Sequence, residues 1–462
     1  MSAAAINKHK TDNDQSASHS FNQAAKNTSV CVLVGHSIEA ITSAVVLASL
    51  GHTVHLYTDK EVLTQQLQQY GFEHHVQALW QMYVQQQKIV SYALPTTASK
   101  LLEHYETSDN NNERKQVALY WLFLDSIRPV WQADSCITAF NHSHQQTLPL
   151  IMSGIKQLGA VDALSKQLQR AWVYYVPFVF LKDGDAYSSM LNPSLLLLGE
   201  KTPNSRHHLT MLQPLIQQAR AFHQADIATI EFARSSIMAM LATRVSFMNE
   251  MSRLADSQQV DIQQVSHIMG LDERVGSSYL QAGWGFGGNT LPTELVKLQQ
   301  SSAEKSLAMP LLQAVININE DQKELIFRKF WQYFDGFIDH KTVMIWGGSY
   351  KAGSGRTAES AIHPLLALLW SYNIRTLVYS DKAQTELAEL YGQQSLLELI
   401  ASPYQKLNEA QAIFIISWLP ENKLDVARLN EQALPIFDAR NALSRTQVDD
   451  LVGDYIGIGR AK

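Results

Sequence analysis

The chain has 462 residues, which is enough for two or three domains of ordinary size. Apolar residues make up 46% of it and charged residues 17%, and the formal net charge is −6. This weakly acidic balance gives no electrostatic reason to expect nucleic acid or an anionic membrane as a partner, although local basic groups can still hold a small anion.

Metal sites, disulfides and membrane spans are not indicated. The two cysteines, Cys31 and Cys136, form no C-x-x-C pair, and the histidine pairs at 74–75 and 207–208 have no Cys or carboxylate at ligand spacing. No uncharged apolar run approaches ~18 residues, and the N-terminus lacks the apolar core of a signal peptide. We therefore expect a cytoplasmic protein without a metal.

The first segment, residues 1–27, is rich in Ser, Asn, Gln, Ala and Lys and has almost nothing to bury. This composition predicts a disordered tail, either a passive segment or an interaction arm. From residue 28 the pattern changes. A β-branched run at 29–35, a helical stretch at 37–51 and a second run at 52–58 form a β-α-β unit. Further strands are predicted at 117–124, 148–154 and 171–181, so that residues 28–225 form one NAD-binding-like α/β domain.

The middle of the chain, residues 226–334, carries no strong strand signal. The segment 229–256 contains neither Gly nor Pro and predicts one long helix. Helical patterns also cover 291–300 and 310–334. Both long helical regions carry more apolar residues than one buried face needs, which predicts a homodimer formed through 229–257 and 296–330.

The strand–glycine–helix pattern restarts at 341–348, so residues 335–462 are predicted to form a second α/β domain. A helix at 361–373 and strands at 374–380, 410–419 and 434–440 follow. The predicted fold class is α/β, with two Rossmann-like doubly wound domains joined by a long-helix central domain.

The turn after the first strand, "VGHSIEA", stands where a dinucleotide-binding fingerprint has G-x-G-x-x-G. Its glycine places hold Gly35, Ser37 and Ala40, and Ser37 puts a side chain where the pyrophosphate should approach. The acidic residue expected at the end of the second strand is Thr58, with Asp59 one place on. Two interpretations stay open, an NAD site and a structural β-α-β unit with a degraded pocket.

Two later loops are candidates for ligand contact. The first, "GWGFGG", contains Gly283, Gly285, Gly287 and Gly288, which permit close approach to a ligand, and Phe286, which could pack on a sugar or base. The second, at 347–360, follows a strand, and its backbone N–H groups with Lys351 and Arg356 could hold a phosphate. The alternative for the first loop is an ordinary glycine-rich turn, and the alternative for the second is a solvated loop.

Taken in chain order, these pieces resemble the UDP-glucose/GDP-mannose 6-dehydrogenase family over residues 29–462. The resemblance rests on the order of several short segments: "NPSLLLLGEK" (192–201), "ATRVSFMNE" (242–250), "GLDERVGSSYLQAGWGFGG" (270–288), "INEDQK" (318–323), "FDARNAL" (437–443) and "YIGIGR" (455–460).

The resemblance implies an N-terminal domain that binds NAD, a C-terminal domain that binds a UDP- or GDP-sugar, and a central domain that forms the dimer. It also implies the four-electron oxidation of a sugar C6 alcohol to a carboxylate with two NAD. In that reaction a cysteine traps the aldehyde as a thiohemiacetal, which becomes a thioester before water releases the acid.

The chain departs from the family where this chemistry takes place. Thr290 stands at the place of the nucleophilic cysteine, and Glu294 stands at the family's Asp. The catalytic Lys corresponds to Arg234, whose guanidinium cannot shuttle a proton, and the following Asn corresponds to Met238. The catalytic Glu becomes Phe178 or Val179, and Gly154 replaces the Thr of the S-T-V-P strand end.

The substrate half keeps more of the family pattern. Positions matched to substrate contacts are Asn249, Arg274, Gly285, Phe286, Gly287, Gly288, Lys351 and Arg440, and Arg274 is expected to reach the partner subunit's nucleotide. One loss is the R-E-S arginine, which is Ala358 here.

Three hypotheses follow. The first is a nucleotide-sugar dehydrogenase homologue for polysaccharide precursor synthesis that has lost most or all oxidising activity. The second is a working NAD-dependent 6-dehydrogenase with rearranged chemistry. The third is a purely structural dimer that binds no nucleotide sugar.

Overall fold

The computed structural model describes residues 29–69, 73–106, 116–127, 133–154, 157–179, 182, 184–418 and 422–460. The predicted tail at 1–27 lies outside the described residues. In the part described, two strand-rich regions, each built around one sheet, flank a helical block, which confirms the predicted fold class. None of the described helices combines the length and the apolar character needed to cross a membrane.

The first sheet has the strand order β3-β2-β1-β4-β5-β6-β7-β8. All neighbouring strands are parallel except β6 and β7. Strand β1 has every residue buried, because helices cover both faces of a parallel sheet. The strands are β1 Val30–Val34, β2 Thr53–Thr58, β3 Ile89–Ala93, β4 Val117–Phe123, β5 Leu150–Ser153, β6 Val173–Tyr175, β7 Leu196–Glu200 and β8 Phe222–Asp226.

Three strands of this sheet, β3, β7 and β8, were not predicted. The strand predicted at 171–181 is also much shorter than expected. It ends at Tyr175, and Pro177, which has no N–H to donate to a ladder, follows two residues later. The helices of this half are α1 Ile38–Ser49, α2 Lys60–Gln69, α3 His74–Gln85, α4 Ala98–Glu106, α5 Ala133–His142, α6 Ala160–Gln167, α7 Ala186–Leu191 and α8 Gln213–Gln218.

The helical block is organised by one long helix, as predicted. Helix α9 runs over Ile227–Gln258 for 32 residues and packs against α11 and α12. The carboxylate of Asp226 caps its start by accepting from Thr229 N at 2.9 Å. The other helices of the block are α10 Ile262–Leu271, α11 Leu291–Glu304, α12 Pro310–Lys323 and α13 Leu325–Tyr333. Helix α10 was not predicted, and the predicted helix at 310–334 is divided at Glu324.

The second sheet is wholly parallel, with the order β11-β10-β9-β12-β13-β14. In both sheets the strand order reverses next to the first strand, so each sheet has a switch point, between β1 and β4 and between β9 and β12. The strands are β9 Thr342–Trp346, β10 Arg375–Tyr379, β11 Leu397–Leu399, β12 Ala412–Ile415, β13 Ile436–Asp438 and β14 Tyr455–Ile456. The helices are α14 Ile362–Ser371, α15 Gln384–Tyr391, α16 Val426–Gln432 and α17 Arg445–Asp449.

Candidate functional site

The two glycine-rich loops singled out in the sequence pack directly on each other. We call residues 283–288 the glycine loop and residues 347–360 the β9 loop. Gly288 N donates to Ala358 O at 2.9 Å. A Cβ on Gly287 would lie 2.4 Å from Glu359 O, and one on Gly288, where φ is +77°, would lie 2.7 Å from the Tyr350 ring. The glycines are therefore needed for contact between these loops, whether or not a ligand is bound.

Side chains of α9 and α12 hold the backbone of the glycine loop. Asn249 Oδ1 accepts from Gly283 N at 2.9 Å, and Gln322 Nε2 donates to Gly283 O at 2.8 Å. Asn319 makes two bonds to Phe286, accepting from its N–H at 2.8 Å and donating to its carbonyl at 3.2 Å. These three amide side chains are buried, so the loop is fixed from within the chain.

Two residues expected to touch substrate are thereby given structural roles instead. Asn249 is completely buried and positions Gly283. Phe286 is 7% exposed and packs in an apolar cluster with Ala242, Leu295 and Leu312 of the surrounding helices. This packing against helices does not support the expectation that the Phe286 ring lies on a sugar or base, and that role stays a prediction.

A cavity of about 840 Å³ opens at the switch point of the second sheet. Helix α10 forms one wall, and the opposite wall comes from the ends of β9, β12 and β13, where Lys351, Ser417 and Arg440 are placed. Clefts outside the carboxyl ends of parallel strands at a switch point are the usual ligand sites of such sheets. The structure thus brings two of the predicted substrate residues, Lys351 and Arg440, to one cavity.

The two cations of this cavity differ in exposure and in hydrogen bonding. Lys351 is exposed. Arg440 donates through Nη2 to Tyr350 O, and its guanidinium lies 5.8 Å from the centre of the Trp284 ring. Burial lowers the pKa of Arg440 to about 10, although Asp438 and Tyr350 act in the opposite direction, so the group remains charged at neutral pH. A guanidinium held by hydrogen bonding beside an exposed ammonium is suited to a diphosphate.

Arg274 lies apart from this cavity in the same chain. Its side chain is 89% exposed and turns back to Asp272, with Nη2 at 2.6 Å from Oδ2. It therefore makes no contribution to the cavity lining of its own chain.

The residues at the family's catalytic places are joined by an ion pair. Arg234 on α9 pairs with Glu294 on α11, whose side chain is only 2% exposed, and Ser235 Oγ also donates to Glu294. Thr290 is exposed at the start of α11, one turn before Glu294. Because Glu294 already has a cation and a hydroxyl as partners, it is poorly placed to act as a base for Thr290.

Apolar packing fills the other catalytic places. Phe178 stacks on Trp121 and Phe123, with ring centres 6.1 and 6.0 Å away. Val179 belongs to the same apolar core, and Met238 is buried in α9. None of these three side chains can bind or activate water.

A group of charged side chains lies at the carboxyl end of the first sheet, and only Arg234 and Glu294 among them were singled out in the sequence. We define the charged cluster as Glu39, Asp125, Arg234, Glu294 and Lys297, which come from α1, the loop after β4, α9 and α11. Burial, and secondarily the charge of Glu39, raises the pKa of Asp125 to about 6, while Lys297 and Arg234 oppose the shift. Burial, and secondarily Arg234, lowers the pKa of Lys297.

Gly154 makes room for Asp125. At φ +79° a Cβ on Gly154 would lie 2.6 Å from both Cγ and Oδ1 of Asp125. A larger residue at 154 and this position of the carboxylate exclude each other. Asp125 is exposed and lies in the loop after β4, one of the two strands that border the switch point of the first sheet. The only sequence signal was an acidic residue directly after a buried strand.

The turn after β1 differs from what a dinucleotide needs. Ser37 Oγ accepts from Ala40 N at 3.4 Å and so caps α1 itself. The hydroxyl of Ser126 accepts from His36 N at 3.1 Å and would lie 2.6 Å from a Cβ on Gly35, so it already covers the turn. A pyrophosphate requires this same helix end and a close glycine backbone.

The ribose end is also altered. Thr58 is fully buried, and the carboxylate of Asp59 accepts from Glu61 N at 3.0 Å and Val62 N at 3.4 Å, which caps α2. The residues at Gly35, Ser37, Ala40, Thr58 and Asp59 therefore lie together, as predicted from the β-α-β pattern, but they do not fit NAD. Among the described residues no group of three or more His, Cys, Asp or Glu side chains could hold a metal ion.

Comparison with known proteins identifies the lineage. Residues 228–321 match the model of the UDP-glucose/GDP-mannose dehydrogenase family, central domain. The chain is a homologue of the nucleotide-sugar dehydrogenases. It is 29% identical over 290 residues to a UDP-glucose 6-dehydrogenase of Pseudomonas aeruginosa, and 26% identical over 286 residues to UDP-glucose 6-dehydrogenase TuaD of Bacillus subtilis. These alignments cover 61% of this chain and 64% and 60% of the two relatives.

Solved structures agree on the fold. A UDP-glucose dehydrogenase from the archaeon Pyrobaculum islandicum superposes with a TM-score of 0.76 at 17% identity and covers 95% of this chain and 99% of its own. A UDP-D-ManNAc dehydrogenase from Pyrococcus horikoshii superposes with a TM-score of 0.72 at 14% identity, covering 93% and 99%. At these identities the likeness concerns the fold alone.

Proposed function

We propose that this homologue of Rossmann-type, generally NAD-dependent dehydrogenases binds a UDP- or GDP-sugar in the cavity of the second sheet and oxidises it little or not at all. The observation that carries the proposal is the Arg234–Glu294 ion pair beside an exposed Thr290. The ion pair occupies Arg234 and Glu294, which stand where proton transfer would take place, and it leaves the hydroxyl of Thr290 without an adjacent base.

The cysteines support the same conclusion. Cys31 and Cys136 are both buried, and burial raises the pKa of each thiol to about 12. The thiolate is the nucleophilic form, so neither can replace the missing cysteine. Without a thiohemiacetal, the second oxidation has no covalent route.

Binding of the sugar nucleotide does not require the lost groups. Lys351 and Arg440 stand together at the cavity, and a diphosphate needs only such cations and backbone donors. The names of the relatives in the comparison favour a UDP-sugar, and a role in polysaccharide precursor synthesis stays a prediction from the family resemblance.

The experiment compares binding and turnover on one preparation. UDP-glucose and GDP-mannose are added at millimolar concentration in a thermal-shift assay, and uronic acid is measured by mass spectrometry after incubation with NAD. We expect stabilisation by at least one nucleotide sugar, and no uronic acid above background. The variant Lys351→Met should lose the stabilisation, whereas Lys382→Met, an exposed lysine outside the cavity lining, should keep it.

The alternative, an active NAD-dependent 6-dehydrogenase, predicts that the unmodified protein forms uronic acid. Loss of an essential nucleophile or base typically costs on the order of 10⁴ to 10⁶ in rate, and such losses are not additive. If the protein is impaired, Thr290→Cys alone should therefore restore little activity, because Arg234 still stands at the place of the catalytic Lys. Turnover near one per second by the unmodified protein, with two NADH per sugar, would disprove the impaired interpretation.

A further inference from the structure

Two acidic residues lie on the segments that follow β1 and β4, at the switch point where a doubly wound sheet normally receives a dinucleotide. Glu39 lies in the first turn of α1, and Asp125 lies in the loop after β4. They are close enough for the charge of Glu39 to act on Asp125. The start of a helix ordinarily attracts a phosphate, because its N–H groups and its dipole are positive there. Here Glu39 already complements that end of α1.

Two cations from the helical block partly neutralise the charge of these carboxylates. Lys297 and Arg234 project from α11 and α9 and interact electrostatically with Asp125. The cations that could have helped to hold a phosphate are thus paired with the chain's own acids. Gly154 completes the arrangement, since any side chain there would displace the Asp125 carboxylate.

We infer that Asp125 and Glu39 exclude the dinucleotide from this switch point, so that the first sheet serves as a structural partner of the helical block and binds no cofactor. This deepens the proposed function by naming the residues responsible. A diphosphate entering here would meet two like charges beside the helix end at which it normally binds, and like charges repel most strongly where protein atoms and the ligand displace water.

The alternative explanation is shape. Ser37 and Ser126 crowd the turn without carrying any charge, and they could exclude the pyrophosphate by themselves. The two explanations differ in one respect. Exclusion by charge is relieved when the carboxylates are neutralised at constant shape, and exclusion by shape is not.

Titration calorimetry on the full-length chain with NAD separates them. The double variant Glu39→Gln with Asp125→Asn removes both charges and keeps the size of both side chains. The control is Glu389→Gln, which removes an exposed carboxylate from α15 in the second half. At about pH 7.5 the wild type and the control should show no saturable binding up to ~5 mM, and the double variant should bind at least about tenfold more tightly than that limit.

The wild type supplies a test that needs no substitution. The groups facing Asp125 are Glu39 on α1, Tyr175 at the end of β6, Arg234 on α9 and Lys297 on α11. Since Asp125 titrates near pH 6, lowering the pH to about 5 neutralises it, and NAD binding should appear there. Circular dichroism at both pH values and on each variant establishes that the samples are folded. If the double variant does not fold, the measurement on the wild type decides.

Micromolar binding of NAD by the wild type at about pH 7.5 would overturn the inference. A folded double variant that shows no binding of NAD would also overturn the inference and would leave exclusion by shape as the explanation. The thermal shift with UDP-glucose is recorded on the same samples. A wild type that binds no nucleotide sugar but behaves as expected toward NAD would remove the proposed function and leave this inference intact.

Discussion

Replacing Glu294 by Gln should destabilise the protein strongly, because Glu294 neutralises a cation inside the molecule. Its side chain is 2% exposed, that of Arg234 is 17% exposed, and Ser235 donates to the same carboxylate. Removing one member of a buried ion pair typically costs about 3–5 kcal/mol. Arg234 keeps some contact with solvent and also interacts with Asp125 and Glu39, so we expect a loss at or just below the lower end of that range, about 2–3 kcal/mol.

The assay is thermal unfolding followed by circular dichroism. If the whole chain unfolds as one unit, this loss lowers Tm by about 2–3 °C, and the decrease is larger if the helical block unfolds separately. The matched control is Asp449→Asn, which breaks the exposed Arg445–Asp449 pair and should cost at most about 0.5 kcal/mol.

A double-mutant cycle tests the cause. Arg234→Met alone leaves Glu294 buried without its cation and should be as harmful as Glu294→Gln. Combining the two removes both charges, so the double variant should be clearly more stable than the sum of the single effects predicts. Additive effects, or a Glu294→Gln variant no worse than the surface control, would show that these charges are not buried together and would refute the reasoning.

Three further predictions concern the dimer, the glycine loop and pH. Four apolar side chains recur every seven or eight residues along α9 and are 44–61% exposed, namely Phe232, Met240, Phe247 and Leu254. The double variant Met240→Glu with Phe247→Glu should therefore convert a dimer into a monomer in light scattering. A wild type that is already monomeric at micromolar concentration would count against this interface. Gly288→Ala should lose about 1–3 kcal/mol because of its positive φ and the nearby Tyr350 ring, and more than Gly51→Ala, which has positive φ but open space, in the same unfolding assay. Asp125 has a pKa near 6 when folded, above the ordinary value of 3.8, so the folded state holds that proton more tightly. Stability should therefore gain a contribution as pH falls from about 6 toward about 4, and Asp125→Asn should remove it; equal pH dependence of the two proteins would contradict the assignment.

Much of the fold could be predicted from local patterns. The apolar run at β1, the glycine-terminated helix after it and the long helix α9 are encoded by residues within each segment, so periodicity and the absence of Gly and Pro were sufficient. Strands β3 and β11 were not predicted from the sequence because most of their residues are only partly buried, which weakens the apolar signal.

The candidate site was predictable only in part. Chain order and the family's motifs located Lys351, Arg440 and the two glycine-rich loops, and the structure brings them to one region. The packing of Phe286 against helices could not be foreseen, because a sequence shows that an aromatic residue follows a glycine but not which side of the loop faces the helices. Asp125 and Lys297 belong to no motif, and 172 positions separate them in sequence.

The sequence by itself determined the α/β class, the order of most elements and the presence of Thr290 and Arg234 where the resemblance places a cysteine and a lysine, because these depend on residue identity and on spacing along the chain. Tertiary structure alone decided that Glu294 pairs with Arg234, that Gly154 admits Asp125, and that Gly287 and Gly288 pack on Glu359 and Tyr350 of the β9 loop. Such relations join different helices and strands. Their energies depend on distance and burial, and these exist only once the sheets and the helical block have packed together.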